Sequence, residues 1–261
     1  MTVPRIFDHT ALALHRARAA RLAGDVFLAR EAADGIAERL GAVQRTLTAR
    51  RELSWDEDER FAAAPESLDL VTSVLRLQNA NDLPGLLAQA RRALKPDGLF
   101  LGAVFGGDTL TELRQSLAAA EIDVKGGISP RIAPFADVRD LGGLLQRAGF
   151  ALPVADVERT VVRYRDVVGL VRDLRAMGET NALVERSRKP MRRAMLAAAL
   201  AHYAEHFADP DGKLRATFDI VYLTGWAPHA SQQQPLKPGS ATVQLADVLA
   251  SPPNVTRNPT R

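Results

Sequence analysis

The sequence contains no cysteine. That excludes disulfides, thiolate metal sites and cysteine nucleophiles together, and it fits a reducing, cytoplasmic setting. Aromatic residues are sparse, at 5%, and are not interleaved with arginines; with a net charge of +3 there is no basic stripe of the kind that binds nucleic acid. No uninterrupted apolar run approaches the roughly 18 residues that cross a bilayer. Arg5, Arg16, Arg18 and Arg21 lie near the start without serine enrichment or a signal-type apolar core, so no targeting segment is read there. What remains is ordinary for a soluble globular protein, 46% hydrophobic and 25% charged. Such a chain is long enough to bury roughly 75% of its unfolded surface.

Residues 1–45 read as two amphipathic helices meeting near Gly24, with Val26, Ala29, Ala33, Ile36 and Leu40 at helical spacing. An acidic segment, Trp55-Asp56-Glu57-Asp58-Glu59, precedes a strand from Leu68 to about Leu77. Asn81-Asp82-Leu83-Pro84 predicts a capped helix start, with the helix running to Leu94 and the turn Lys95-Pro96-Asp97-Gly98 after it. A buried strand from Leu99 to Phe105 follows. Gly106-Gly107 then turns the chain, and Thr109 with Glu112 predicts a capping box for a helix to about Ala120. Further on, Gly126 to Pro130 reads as a loop, Asp137 to Ala148 as a helix closed by Gly149, and Val157 to Tyr164 as a strand. Helices are expected over about 166–177 and 189–207, a last strand over Phe218 to Trp226, and a disordered tail over 251–261. Alternating strands and helices with short links predict a doubly wound α/β domain with a largely parallel sheet.

Several runs now stand together: Asn81-Asp82-Leu83-Pro84, Leu94 to Gly98, Phe105 to Arg114, Gly126-Gly127-Ile128-Ser129-Pro130, Met177-Gly178-Glu179-Thr180-Asn181 and Gly239 to Val243, with Ile6-Phe7-Asp8 at the start. In these the chain resembles the methyltransferase-like assembly factors of respiratory complex I, a branch of the class I S-adenosylmethionine-dependent methyltransferases, over about 6–249. The resemblance implies a Rossmann-like class I fold over 46–250, with extra helices at the N-terminus and a helical insertion at about 166–207. It also implies a role in complex I assembly, including hydroxylation of a protein arginine.

One feature of that superfamily is missing. Its first strand runs into a glycine-rich turn whose backbone approaches the cofactor, and its second strand ends in an acid for the ribose. Here no G-x-G occurs anywhere, and Gly24, Gly35 and Gly41 are the only glycines before Gly85. Between Arg45 and Leu68 too few residues remain for a strand, loop, helix and second strand. The expected fold is therefore truncated at the first βαβ unit, with Arg51 to Trp55 as a candidate third strand. Losing several charge-assisted contacts at about 1.5 to 3 kcal/mol each would offset most of the roughly 8 kcal/mol behind micromolar binding. In addition, Leu77-Gln78-Asn79-Ala80 stands where relatives commonly carry a histidine-tryptophan pair.

These readings set the site expectations. Asp56, Glu57, Gly106, Gly107 and Asp108 are candidate remnants of a cofactor site, although a tight turn and a solvated acidic loop explain them as well. Gly126, Gly127, Ser129, Gly178 and Asn181 are candidate partner or substrate loop residues. His202-Tyr203-Ala204-Glu205-His206 matches H-x-x-E-H, but no third ligand is identifiable and Leu196, Leu200, Tyr203 and Phe207 form an apolar stripe, so no metal is expected. The leading expectation is a degenerate, cofactor-free protein that binds a respiratory-complex subunit or a paralogue, with homo-oligomers allowed. The alternative is an active S-adenosylmethionine-dependent methyltransferase or hydroxylase acting on a protein arginine or a small molecule.

Overall fold

The computed structural model describes residues 4–22, 24 and 26–233. The Gly239 to Val243 motif and the 251–261 tail lie outside the described residues. Met1–His229 forms one compact unit; of a second, Ala230–Arg261, only a short turn is described.

The first unit begins with helices α1 (His9–Leu22) and α2 (Phe27–Gly41), followed by the short strand β1 (Arg50–Glu52) and then β2 (Leu68–Val74). Helix α3 (Leu83–Ala93) leads to β3 (Leu94–Phe105), α4 (Thr111–Lys125) and α5 (Val138–Arg147). Strand β4 (Ala151–Tyr164), helices α6 (Val167–Ala176) and α7 (Arg193–Phe207) and strand β5 (Leu214–Trp226) complete it. The single sheet has the order β1-β2-β3-β5-β4.

β1, β2 and β3 are mutually parallel, whereas β5 runs antiparallel to both β3 and β4. The sheet is thus mixed, not largely parallel as the alternation of elements predicts. β5 follows β4 after two intervening helices and inserts between β4 and β3, so its pairing with β3 is set by contacts far away in sequence.

Apolar runs in β3 and β5 divide between two layers. Leu99, Leu101, Ala103 and Phe105 face one side with Ala216, Phe218, Ile220 and Tyr222, under Leu28, Ala32 and Ile36 of α2 and Leu170 and Leu174 of α6. Phe100, Val104, Val221 and Leu223 face the other, under Leu86, Leu87 and Ala90 of α3 and Leu141 and Leu145 of α5. Covered faces on both sides explain why these strands read as unbroken hydrophobic stretches instead of alternating ones.

Two local expectations change. Lys95-Pro96-Asp97-Gly98 is not a free turn but the irregular start of β3: Asp97 has φ of 61°, and the pairing with β2 shifts register between Leu68 and Leu70. A side chain at Gly98 would come within 2.9 Å of the Lys95 carbonyl, which is why glycine ends the bulge. Thr109 and Glu112 do not form a capping box. α4 starts at Thr111 behind a left-handed Leu110, and the buried Glu112 accepts from the Thr217 backbone N–H at 3.0 Å and hydroxyl at 2.5 Å. The Thr109 hydroxyl bonds the backbone of Asp219. Both side chains tie α4 to β5, a long-range demand that outcompetes local capping.

The predicted N-terminus of α3 is realised as written, with the Asp82 carboxylate accepting from Gly85 N–H at 2.9 Å. α5 likewise begins on Asp137 and is followed by Gly149 at φ of 85°.

Candidate functional site

The carboxyl ends of parallel strands are where open α/β sheets place their ligands, because the connections leave from there. After β2, Leu75 takes φ of 44° and a 3-10 turn spans Leu77–Asn79. The Asn81 side chain then accepts from the N–H groups of Ile6 and Phe7 at 2.7 and 2.8 Å and donates to the Phe7 carbonyl at 3.2 Å. Asp8 caps α1 through Ala11 and pairs with Arg186 at 2.9 Å, while Phe7 bridges to Leu183. The Ile6-Phe7-Asp8 motif is thus a strap drawn over the end of β2 by one amide.

Two further loops close on the same place. Glu121 of α4 is buried and accepts from the Ser129 N–H and hydroxyl, both at 2.6 Å, and from Arg131 at 2.7 Å and Lys125 at 3.0 Å. Burial alone would raise the Glu121 carboxyl, but these donors outweigh it and bring it down to about 2. The 126–131 loop is therefore anchored at Ser129 and Arg131, with Gly126 and Gly127 exposed at its outer end. Asn181, after α6, donates to the Pro130 carbonyl at 3.0 Å and joins this loop to the 177–181 segment.

Between strap and loops lies a cavity of about 290 Å³, mostly apolar, walled by Phe7, Phe105, Leu113, Phe135, Leu174 and Phe218. Its polar lining includes Asn79, Arg131, Arg175, Asn181 and Glu179. Gln78 donates to the Glu179 carboxylate at 3.1 Å, and no ion-pair partner lies within 4 Å of it among the described residues. Burial pushes this carboxyl up to about 7, against the opposing pull of Arg16, Asn79 and Gln78. A buried carboxylate that no cation contacts directly, raised towards neutrality, is suited to receive a positively charged group or to exchange a proton.

The residues singled out in the sequence fall in three places. Asn181 lines the cavity, and Ser129 anchors to Glu121 the loop that carries Arg131 to it. Gly178, at φ of 77°, is spent inside the molecule: a side chain there would come within 3.3 Å of Arg16 Cγ. Gly106, Gly107 and Asp108 follow β3. The Gly106 N–H is committed to the Asp219 carbonyl at 2.7 Å, and a Cβ on Gly106 would lie 2.7 Å from Val221 Cγ2. Asp108 pairs with Arg159, which also holds Asp219. Asp56 and Glu57 stand apart from this cavity. The Asp56 carboxylate accepts from the backbone N–H groups of Asp58 and Arg60, closing its own turn, and Glu57 is exposed.

Glu59, read from the sequence only as the end of a solvated acidic segment or a ligand-site remnant, is buried, accepts from the N–H groups of Asn81 and Asp82 and contacts His9 at 2.9 Å. Sequence reasoning missed Glu179 as an individual residue. The available signal was a carboxylate directly behind a helix-ending glycine, in a motif that packing alone does not demand. His202 and His206 stack at 4.1 Å on α7, and no group of three metal-ligating side chains occurs among the described residues.

Residues 36–102, spanning α2 to the middle of β3, match the family model described as Methyltransferase domain. That stretch of the chain is similar to a methyltransferase domain. The chain is homologous to the protein called Arginine-hydroxylase NDUFAF5, mitochondrial. With that of Danio rerio it shares 47% identity over 192 residues, 73% of this chain and 60% of the relative. With the Homo sapiens protein it shares 47%, over 73% of this chain and 55% of the relative. A Malonyl-[acyl-carrier protein] O-methyltransferase of Laribacter hongkongensis is 39% identical, over 72% of this chain and 60% of the relative. The chain therefore spans 60% or less of the length of these relatives. Among the described residues no helix is long and apolar enough to cross a membrane.

The residues present do not reproduce a glycine cradle for the S-adenosylmethionine of this class. No glycine occurs between Gly41 and Gly85, and β1 passes to β2 through residues 53–67 without a helix whose N-terminus could face a ligand. Gly106 serves packing against β5.

Proposed function

We propose that this chain receives an arginine side chain of a partner protein in the cavity beside Glu179. The observation that carries the reading is the Glu179 carboxylate itself, raised to about 7 inside a mostly apolar cavity with Asn79 and Asn181 on its rim. A guanidinium is planar, always charged and rich in donors, so it can pair with that carboxylate while its methylene stem lies against Phe7, Phe105 and Phe218. The relatives' name, Arginine-hydroxylase, supports this arginine-directed alternative over a purely cofactor-free binding role. Gln78 and Asn79, at the turn after β2, bond Glu179 directly and so tune the same group.

The test is titration of Nα-acetyl-arginine-amide, with the citrulline analogue as the uncharged control. Saturable binding of the arginine compound alone, strengthening from pH 6 to pH 8 and lost in Glu179→Gln, is expected. Equal binding of both, or none at millimolar ligand, overturns it.

A second reading, a degenerate protein that has lost the first βαβ unit and acts only by binding a respiratory-complex subunit or paralogue, is favoured by the missing glycine cradle. It predicts binding of a partner without any modified arginine product, which mass spectrometry of the partner would decide. A cytoplasmic location rests on the absence of cysteine alone, and the animal relatives are named as mitochondrial.

A further inference from the structure

Outside the cavity, α1, the turn after β2 and the 177–180 segment meet around two arginines. Arg16 packs its backbone against Gly178, and the Arg76 guanidinium lies 5.8 Å over the Trp55 ring. Arg16 Nη2 and Arg76 Nε are buried, and neither has a hydrogen-bond partner among the described residues. Gln78 Oε1, on the same turn two residues after Arg76, is likewise unpartnered. Burial, and then the charge of Arg76, lower the pKa of Arg16, so the two cations feel each other. Glu179 is the acid acting on Arg16, and a carboxyl titrating near 7 neutralises at most one of the two charges.

A folded chain that buries guanidinium N–H groups of like charge without acceptors bears a desolvation cost that an anion would relieve. The place is the carboxyl end of β2, beside that of β1, where parallel sheets present their ligand sites. We propose that Arg16 and Arg76 form a binding site for a small oxyanion, a carboxylate or a phosphate, supplied with donors by α1 and the turn after β2. Trp55 holds Arg76 in place from below, and Gly178 lets α1 approach closely enough to bring Arg16 in. The site takes a negative group and is separate from the cation-receiving role given to Glu179.

The experiment uses the full chain, melted in chloride, acetate and phosphate at matched ionic strength. A saturating rise in Tm of roughly 5 °C or more, at about 100-fold excess over Kd, is expected in at least one oxyanion over chloride. A rise in phosphate alone assigns a phosphoryl group, and a rise in both assigns any oxyanion. Arg16→Met and Arg76→Met should each abolish the rise without lowering the Tm in chloride, since each removes one of two repelling charges. If either variant fails to fold, the Nε–H resonance of Arg76 in the parent protein serves instead and should shift along the same titration. Identical Tm in all three salts, a rise that persists in both variants, or an unmoved Arg76 resonance overturns the site.

Discussion

Glu179 shows how a single residue can work against stability. Its carboxyl is raised from 4.5 to about 7 in the folded chain, so the native state holds more protons than the unfolded state between those values. Stability attributable to it is full below 4.5 and is lost as pH rises to about 7, by up to about 3 kcal/mol. Glu179→Gln is therefore expected to melt above the parent at pH 8 and close to it at pH 4, by scanning calorimetry. An unchanged difference across that range would mean that Glu179 is not desolvated. One position earlier, Gly178 adopts φ of 77° against Arg16, where a Cβ is strained by conformation as well as by contact. Gly178→Ala should cost about 1 kcal/mol or more, read as a lower midpoint in urea at unchanged slope.

At the scale of elements, α4 is held at both ends by carboxylates that point away from its own backbone. Glu121 is lowered from 4.5 to about 2, so its contribution is present in full above 4.5 and is lost as pH falls from there to about 2. Glu121→Gln leaves Arg131 facing no charge, and breaking a buried pair from one side costs about 3 kcal/mol. Amide exchange across 126–131 is expected to accelerate in this variant while β3 and β5 stay protected; uniform acceleration would show that the loop is not separately anchored. Near the start of the helix, Glu112→Ala would strand the buried Thr217 N–H and hydroxyl, at a cost of about 1 to 3 kcal/mol. Because that contact joins α4 to β5, Thr217→Val should recover part of the loss, which a local capping role would not allow.

Among the described residues of the whole molecule, the sheet ends on one side at β1, whose three residues are all exposed and which pairs there only with β2. Arg50 and Arg51 on this short edge are the kind of residues that discourage further strand pairing. No glycine occurs between Gly41 and Gly85 around that same edge, and on the degenerate reading proposed above calorimetric titration of S-adenosylmethionine shows no binding at micromolar ligand. Micromolar binding would require a pocket rebuilt around Asp56, Gly106 and Gly126, and substitution of Asp56 would then weaken it.

Periodicity and caps alone determined most of the elements. Asp82 and Asp137 start helices where their side chains can reach the first free N–H groups, and Gly149 ends one where φ must be positive. Those are interactions over three or four residues, and sequence displays them directly. The tertiary structure alone decided the antiparallel insertion of β5 between β3 and β4 and the diversion of Thr109 and Glu112 from capping to cross-linking. It also decided the cavity, since Asn81 reaches back to Phe7 and Asn181 to Pro130 across long stretches of chain. The motifs containing Ser129, Glu179 and Asn181 were visible as motifs, but the depth that raises Glu179 and the burial that leaves Arg16 and Arg76 without acceptors arise only when separate segments close over them. Desolvation depends on everything packed around a group, and no spacing along the chain records it.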